Sequence, residues 1–191
     1  YLDGIDGLLF GDSPNEGYVR GTEFLHPVLG VKFSVPDGFR IDNNAEAVLA
    51  TGPGDLAIRF DGVTDNGRQS LTKYIASGWV TGLDESSIRE TRVDGLPAAT
   101  ARASADRWDF DITVIRLKDR IYRFLTAAPR GSTELGAAAS VVRAGFKRMP
   151  QNEIKALQPL RIRIVTVASG DTLGSLAGRM RGGERKGELF R

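Results

Sequence analysis

The sequence predicts an α+β fold: an antiparallel β-sheet flanked by helices, an α/β/α sandwich, followed by a short C-terminal β-α segment. Three observations predict it. Residues 108–127, WDFDITVIRLKDRIYRFLTA, form two strand-like runs around Lys118-Asp119, as a central hairpin would. Residues 70–80 and 132–146 carry apolar side chains at helical spacing. The other apolar runs are short and separated by Gly, Pro, Asn and Asp, the punctuation of hairpins.

Residues 1–22 read as a lead-in. Asp3-Gly4, Asp6-Gly7, Gly11-Asp12 and Pro14-Asn15 are turn pairs packed close together. Leu2, Ile5, Leu8, Leu9 and Phe10 are too apolar for a free linker and are expected to dock. The chain opens on Tyr1 with no basic-then-apolar leader, so we expect a piece of a longer protein.

The sheet domain is expected over 23–149. Val31, Phe33 and Val35 alternate with Lys32 and Ser34, and Pro36-Asp37-Gly38 stops that strand. Gly52-Pro53-Gly54-Asp55 turns a hairpin between Val48–Ala50 and Leu56–Phe60. Leu71, Tyr74, Ile75 and Gly78 line one helix face, with Ser70 placed to accept an orphan N–H as its N-cap. Residues 87–93 and 98–104 flank Asp94-Gly95, a strong turn signal, and Pro97 suits a strand start. In the second helix Leu135, Ala139, Val142 and Phe146 form a stripe, Ser132 can cap, and Glu134 suits the positive end of the dipole.

Residues 150–161, bounded by Pro150 and Pro159, read as a linker with one helical turn. Beyond it, Ile162, Ile164 and 165–167 predict a strand, Ser169–Thr172 a turn with a cap, and Leu173, Leu176, Ala177 and Met180 a short helix. The Gly-rich, basic end 181–191 is expected to fray.

Composition narrows the chemistry. With no cysteine there is no disulfide, thiolate nucleophile or Cys-ligated zinc. No apolar run approaches the length of a membrane span. Residues 150–191 hold eight Lys/Arg against four Asp/Glu, a mildly basic tail on a near-neutral domain. No basic patch is interleaved with aromatics, which argues against nucleic acid. Gly52-Pro53-Gly54 lies between strands, not before a helix, and so is no phosphate loop.

No residue group announces catalysis. His26 is the only histidine and precedes Pro27, a structural setting. Asp3 and Asp6 fall far short of a calcium loop. Asp109 and Asp111 share a strand face with no nucleophile or oxyanion donor nearby, so we read a solvated face. Arg107, Arg116, Arg120 and Arg123 are placed to pair with them across strands. No catalytic and no metal-binding residue is assigned.

Two resemblances add expectations. The ordered blocks YLDGIDGLLFGD, FLHPVLGVKFSVPDGF, SGWVTGLDE, VDGLPAATA, WDFDITVIR with IYRFLTAA, and LRIRIVTVASGDTL resemble the region after the catalytic domain in exported HtpX/CAAX-prenyl-protease-like bacterial zinc metallopeptidases. That resemblance implies a non-catalytic accessory region in a periplasmic or secreted protein. Residues 1–22 would follow a missing peptidase domain, which would hold the zinc and be a partner. This chain itself would need no cofactor. Residues 23–149 are also similar in plan to PsbP-like domains, antiparallel sheets with helices on both sides.

The second resemblance is short. Val165-Thr166-Val167, Gly170-Asp171-Thr172-Leu173 and Leu176-Ala177 look like the first half of a LysM peptidoglycan-binding module, truncated over 162–191. It implies glycan contact near Gly170, Asp171 and Thr172. A plain turn with a helix cap accounts for the same residues. The alternative to a peptidase accessory region is a stand-alone module that binds peptidoglycan or a partner protein.

Overall fold

The computed structural model describes residues 4–11, 13–67 and 69–180. Its elements are β1 (Tyr18–Arg20), β2 (Glu23–His26), β3 (Val31–Ser34), β4 (Arg40–Asn43), β5 (Val48–Thr51), β6 (Ala57–Thr64), α1 (Leu71–Ile75), β7 (Leu83–Val93), β8 (Leu96–Ala105), β9 (Trp108–Leu117), β10 (Arg120–Pro129), α2 (Leu135–Gly145), β11 (Lys147–Arg148), α3 (Gln151–Ala156) and α4 (Leu173–Arg179). The α+β prediction holds. The paired strands are all antiparallel and form two sheets, β4-β5-β6-β10-β9-β8-β7 and β1-β2-β3-β11.

The predicted hairpin is the centre of the large sheet. Trp108 through Leu117 pairs in unbroken register with Arg120 through Pro129. Its two apolar sets lie on opposite faces. Ile112, Val114 and Ile121 pack with Leu71 and Ile75 of α1. Ile115, Tyr122 and Phe124 pack with Val142 of α2, Phe146 and the small sheet. Helices therefore cover both faces. On the second face Phe33, Phe60, Phe124 and Phe146 form a ring cluster, with centroids 4.7 Å apart for Phe60–Phe124.

Covering both faces corrects the reading of a solvated one. Thr113 is 1% exposed, because α2 crosses it. Two of the arginines expected on Asp109 and Asp111, Arg116 and Arg123, go elsewhere. Arg123 binds Asp61 at 2.6 and 2.9 Å, and Arg116 binds Asp65 at 2.5 Å. Their side chains leave the sheet on the α1 side, while the two aspartates face α2.

The first helix is shorter than its periodicity suggests. Ser70 caps it as predicted, accepting from the Lys73 N–H at 3.2 Å. It closes at Ile75, and Gly78 follows at φ +90°, off any helical path. The second helix starts at Leu135 with Glu134 in the N-cap position, and Ser132 Oγ accepts from the Glu134 N–H at 3.3 Å. The small sheet begins before the predicted domain start, at β1, where Tyr18 is buried.

The lead-in pairs its backbone with residues 160–164, while the side chains of Leu8, Leu9 and Phe10, expected to dock, stay exposed. Leu9 bridges Arg161, Phe10 N–H donates to Leu160 O, and Ile162 N–H donates to Leu8 O. Asp6 accepts from the Ile164 N–H at 2.7 Å. The strand expected over 162–167 does not form: the bridge to Leu9 falls at Arg161, and no described strand pairs with Val165 or Val167. The helical turn in the linker is α3, which Glu153 ties to Lys32 of β3 at 2.6 Å. Asp3 and the basic end 181–191 lie outside the described residues. No described helix is long and apolar enough to cross a membrane.

Candidate functional site: a cationic cleft

α2 and the small sheet cover β10 and β9 but stop short of β8 and β7. Where they stop, the sheet forms the floor of an open cleft of about 730 Å³. The pairing registers explain its lining. Arg89 lies opposite Thr100, Thr91 opposite Ala98, Arg102 opposite Asp111, and Thr100 opposite Thr113. Side chains directly opposite share a face. A polar set from three strands is thus brought to the α2 side, and α2 contributes Ser140 and Arg143 as a wall.

The two carboxylates of the cleft are both engaged. Arg143 Nη1 donates to Asp111 Oδ1 at 2.5 Å and to Thr113 Oγ1 at 3.3 Å, and Nη2 donates to Ser140 Oγ. Burial pushes the Asp111 carboxyl above its usual range, against the pull of Arg143 and then Arg102. At the closed end, Asp94 accepts from the Arg148 N–H at 3.0 Å and from its Nε at 3.1 Å, while Lys147 lies 3.8 Å away. Asp94 and Gly95 have φ of +52° and +74°, the left-handed pair of a two-residue hairpin turn.

The cations are less fully used. Arg89 Nη1 donates to the carbonyls of Ser86 and Ile88 at 2.7 and 2.8 Å, which fixes its guanidinium at the sheet edge. Arg102 and Arg89 have no carboxylate within ion-pair distance among the described residues. Fixed guanidinium groups with spare donors are recognition groups for carboxylate or phosphate.

The residues singled out from sequence fall in different places. Asp111 lines the cleft; Asp109 does not. Asp109 accepts from Ser104 Oγ at 2.7 Å and Gly131 N–H at 3.0 Å, anchoring a loop. His26 Nδ1 accepts from the Leu29 N–H at 3.3 Å, and burial lowers its pKa. Among the described residues no three His, Cys, Asp or Glu come together as metal ligands. Gly170, Asp171 and Thr172 lie at α4, remote in sequence from the cleft. Asp171 accepts from Ala168 N–H and from Arg179, and Thr172 forms a reciprocal cap with Ser175.

Sequence reasoning missed Arg89, Arg102 and Arg143. A signal for Arg102 existed: Thr100, Arg102 and Ser104 alternate with Ala99, Ala101 and Ala103. Arg143 had none, because it follows the apolar Val142 in a helix read for its buried stripe.

No family model matches the chain, and no curated protein sequence does. Among solved structures, a Bacteroides thetaiotaomicron protein aligns at TM-score 0.53 and 12% identity over 71% of this chain. That is a likeness of fold, and this chain spans about half (51%) of that protein's length. LpqN of Mycobacterium tuberculosis, involved in cell envelope biogenesis, aligns at TM-score 0.49 and 14% identity, covering 63% of this chain and 83% of LpqN. Cyanobacterial PsbP (CyanoP) of Synechocystis sp. PCC 6803 aligns at 0.47 and 13%, covering 72% and 97%. At those scores the last two alignments say nothing of function.

Proposed function

We propose that this chain is a non-catalytic accessory region of an exported zinc-dependent metallopeptidase, positioning a substrate, a partner or the cell envelope. The ordered sequence blocks support the peptidase parentage. The cleft is the observation that carries the binding role. Its carboxylates are committed to Arg143 and Arg148, and what remains to a visitor is positive charge and hydroxyl groups over a floor of small side chains. Those groups hold and orient a ligand. On this reading zinc belongs to a peptidase portion outside this chain. Purified 1–191 should not hydrolyse casein with or without added zinc. Zinc-dependent, chelator-sensitive cleavage by this fragment overturns the proposal.

A second reading is a stand-alone module for peptidoglycan or a partner protein. It is favoured by the exposed turn at Gly170 and Thr172, held in shape by Asp171. A peptidoglycan pull-down comparing 1–191 with 1–150 tests it. Retention of 1–191 alone supports glycan contact at that turn, and retention of neither removes it.

A further inference from the structure

We propose that the cleft between α2 and strands β7–β9 is a receptor for an extended acidic peptide, whose carboxylates are bound by Arg89 and Arg102. The inference rests on the binding-module reading and names the partner of the same site.

Charge is the first argument. Five cations line the cleft against two carboxylates, on a chain whose net charge is only +2. Asp111 engages Arg143, and Asp94 engages Lys147 and, just outside the cleft, Arg148; Arg102 lies opposite Asp84 and Asp111 but beyond ion-pair distance of both, and Arg89 has no carboxylate within that distance among the described residues. Arg89 is already immobilised by two backbone carbonyls, so binding an anion there costs little further ordering.

Spacing is the second. Arg89 lies opposite Thr100, and Arg102 is two residues beyond Thr100 on the same strand face. Such diagonal neighbours sit about 7–8 Å apart. In an extended peptide, alternate side chains on one side recur at about 6.5–7 Å. The strand positions of the two arginines are thus spaced like alternate positions of an extended chain. Thr91, Thr100 and Ser140 supply hydroxyls for the visitor's backbone.

The lining also discriminates among polyanions. Among the described residues no aromatic side chain lines the cleft, so nucleic-acid bases find no stacking platform in that lining. The free edge of β7 is a poorer site for strand addition. A register shift between Asp84 and Arg89 bends it, and the Arg89 guanidinium occupies the carbonyls of Ser86 and Ile88.

The test is fluorescence anisotropy of intact 1–191 with a labelled oligoglutamate of about eight residues, long enough to span about 26 Å when extended. Parallel arms use oligoglutamine and oligodeoxythymidine. Oligoglutamate should bind, and more weakly at higher salt. The double variant R89E/R102E should lose about tenfold or more in affinity. Asp111→Asn, which releases Arg143, should bind more tightly. Should the double variant fail to fold by circular dichroism, Arg102→Gln replaces it with the same expected direction. No binding by the native chain, or equal affinity in a folded variant, overturns the proposal. Equal binding of oligodeoxythymidine reduces the site to a general polyanion surface and also overturns it. A failure here leaves the casein result standing, so the two readings fail separately.

Discussion

Arg143 of α2 and Asp111 of β9 meet at 2.5 Å, with side chains 25% and 16% exposed, and this pair fastens the helix to the sheet beside the cleft. Truncating Arg143 strands a half-buried carboxylate. Arg143→Ala should cost about 1–3 kcal/mol in urea unfolding. Adding Asp111→Asn to it should recover part of that loss. An Arg143→Ala chain as stable as the native one would show the pair to be neutral.

Acid stability should turn on Asp65. The Arg116 hydrogen bond holds its carboxyl below the ordinary 3.8, helped by the Gly67 N–H and opposed by burial. A lowered folded-state pKa contributes stability that is present above the unfolded value and is lost as pH falls through the folded one. The urea midpoint should drop below pH 3.8, and Asp65→Asn should flatten that drop. Asp111 carries the opposite sign. Its raised pKa stabilises below the unfolded value, and that contribution is lost as pH rises through the folded one. Asp111→Asn should remove the second slope.

Arg123 joins three elements. It binds Asp61 through two donors, donates to the Tyr74 hydroxyl at 3.1 Å, and lies 4.8 Å from the centre of the Trp79 ring. Arg123→Lys loses the bidentate fork and the flat cation over the ring. It should cost about 1–2 kcal/mol and shift tryptophan emission. Unchanged emission together with unchanged stability would show the stack to be idle.

Two glycines should respond differently to alanine. Gly95 has φ +74° and open space around it, so Gly95→Ala meets only backbone strain, about 1–2 kcal/mol. Gly82 has φ +72°, and a Cβ there would lie 2.0 Å from the Ser104 carbonyl oxygen. Gly82→Ala should cost clearly more in thermal unfolding, because a backbone atom cannot step aside. Equal costs would mean that this crossing relaxes.

Phe146 is fully buried and touches the rings of Phe60, Tyr122 and Phe124. Phe146→Ala should cost about 3–5 kcal/mol. It should loosen α2, and with it the wall of the cleft, which oligoglutamate binding would report.

Local chemistry made much of the fold legible. Ser70 capped its helix, Asp94-Gly95 and Lys118-Asp119 turned their hairpins, and the alternation over 108–127 marked the sheet centre. Each is decided by neighbours within a few residues, which is the range over which sequence pattern speaks. Which arginine meets which aspartate is not. Arg123 and Asp61 are 62 positions apart, and Arg143 and Asp111 are 32 apart, so strand register and helix placement chose the partners. The cleft is decided at that same level. Each charged residue lining it is an ordinary polar position by itself, and only the sheet order and the point where α2 ends turn them into one cationic surface.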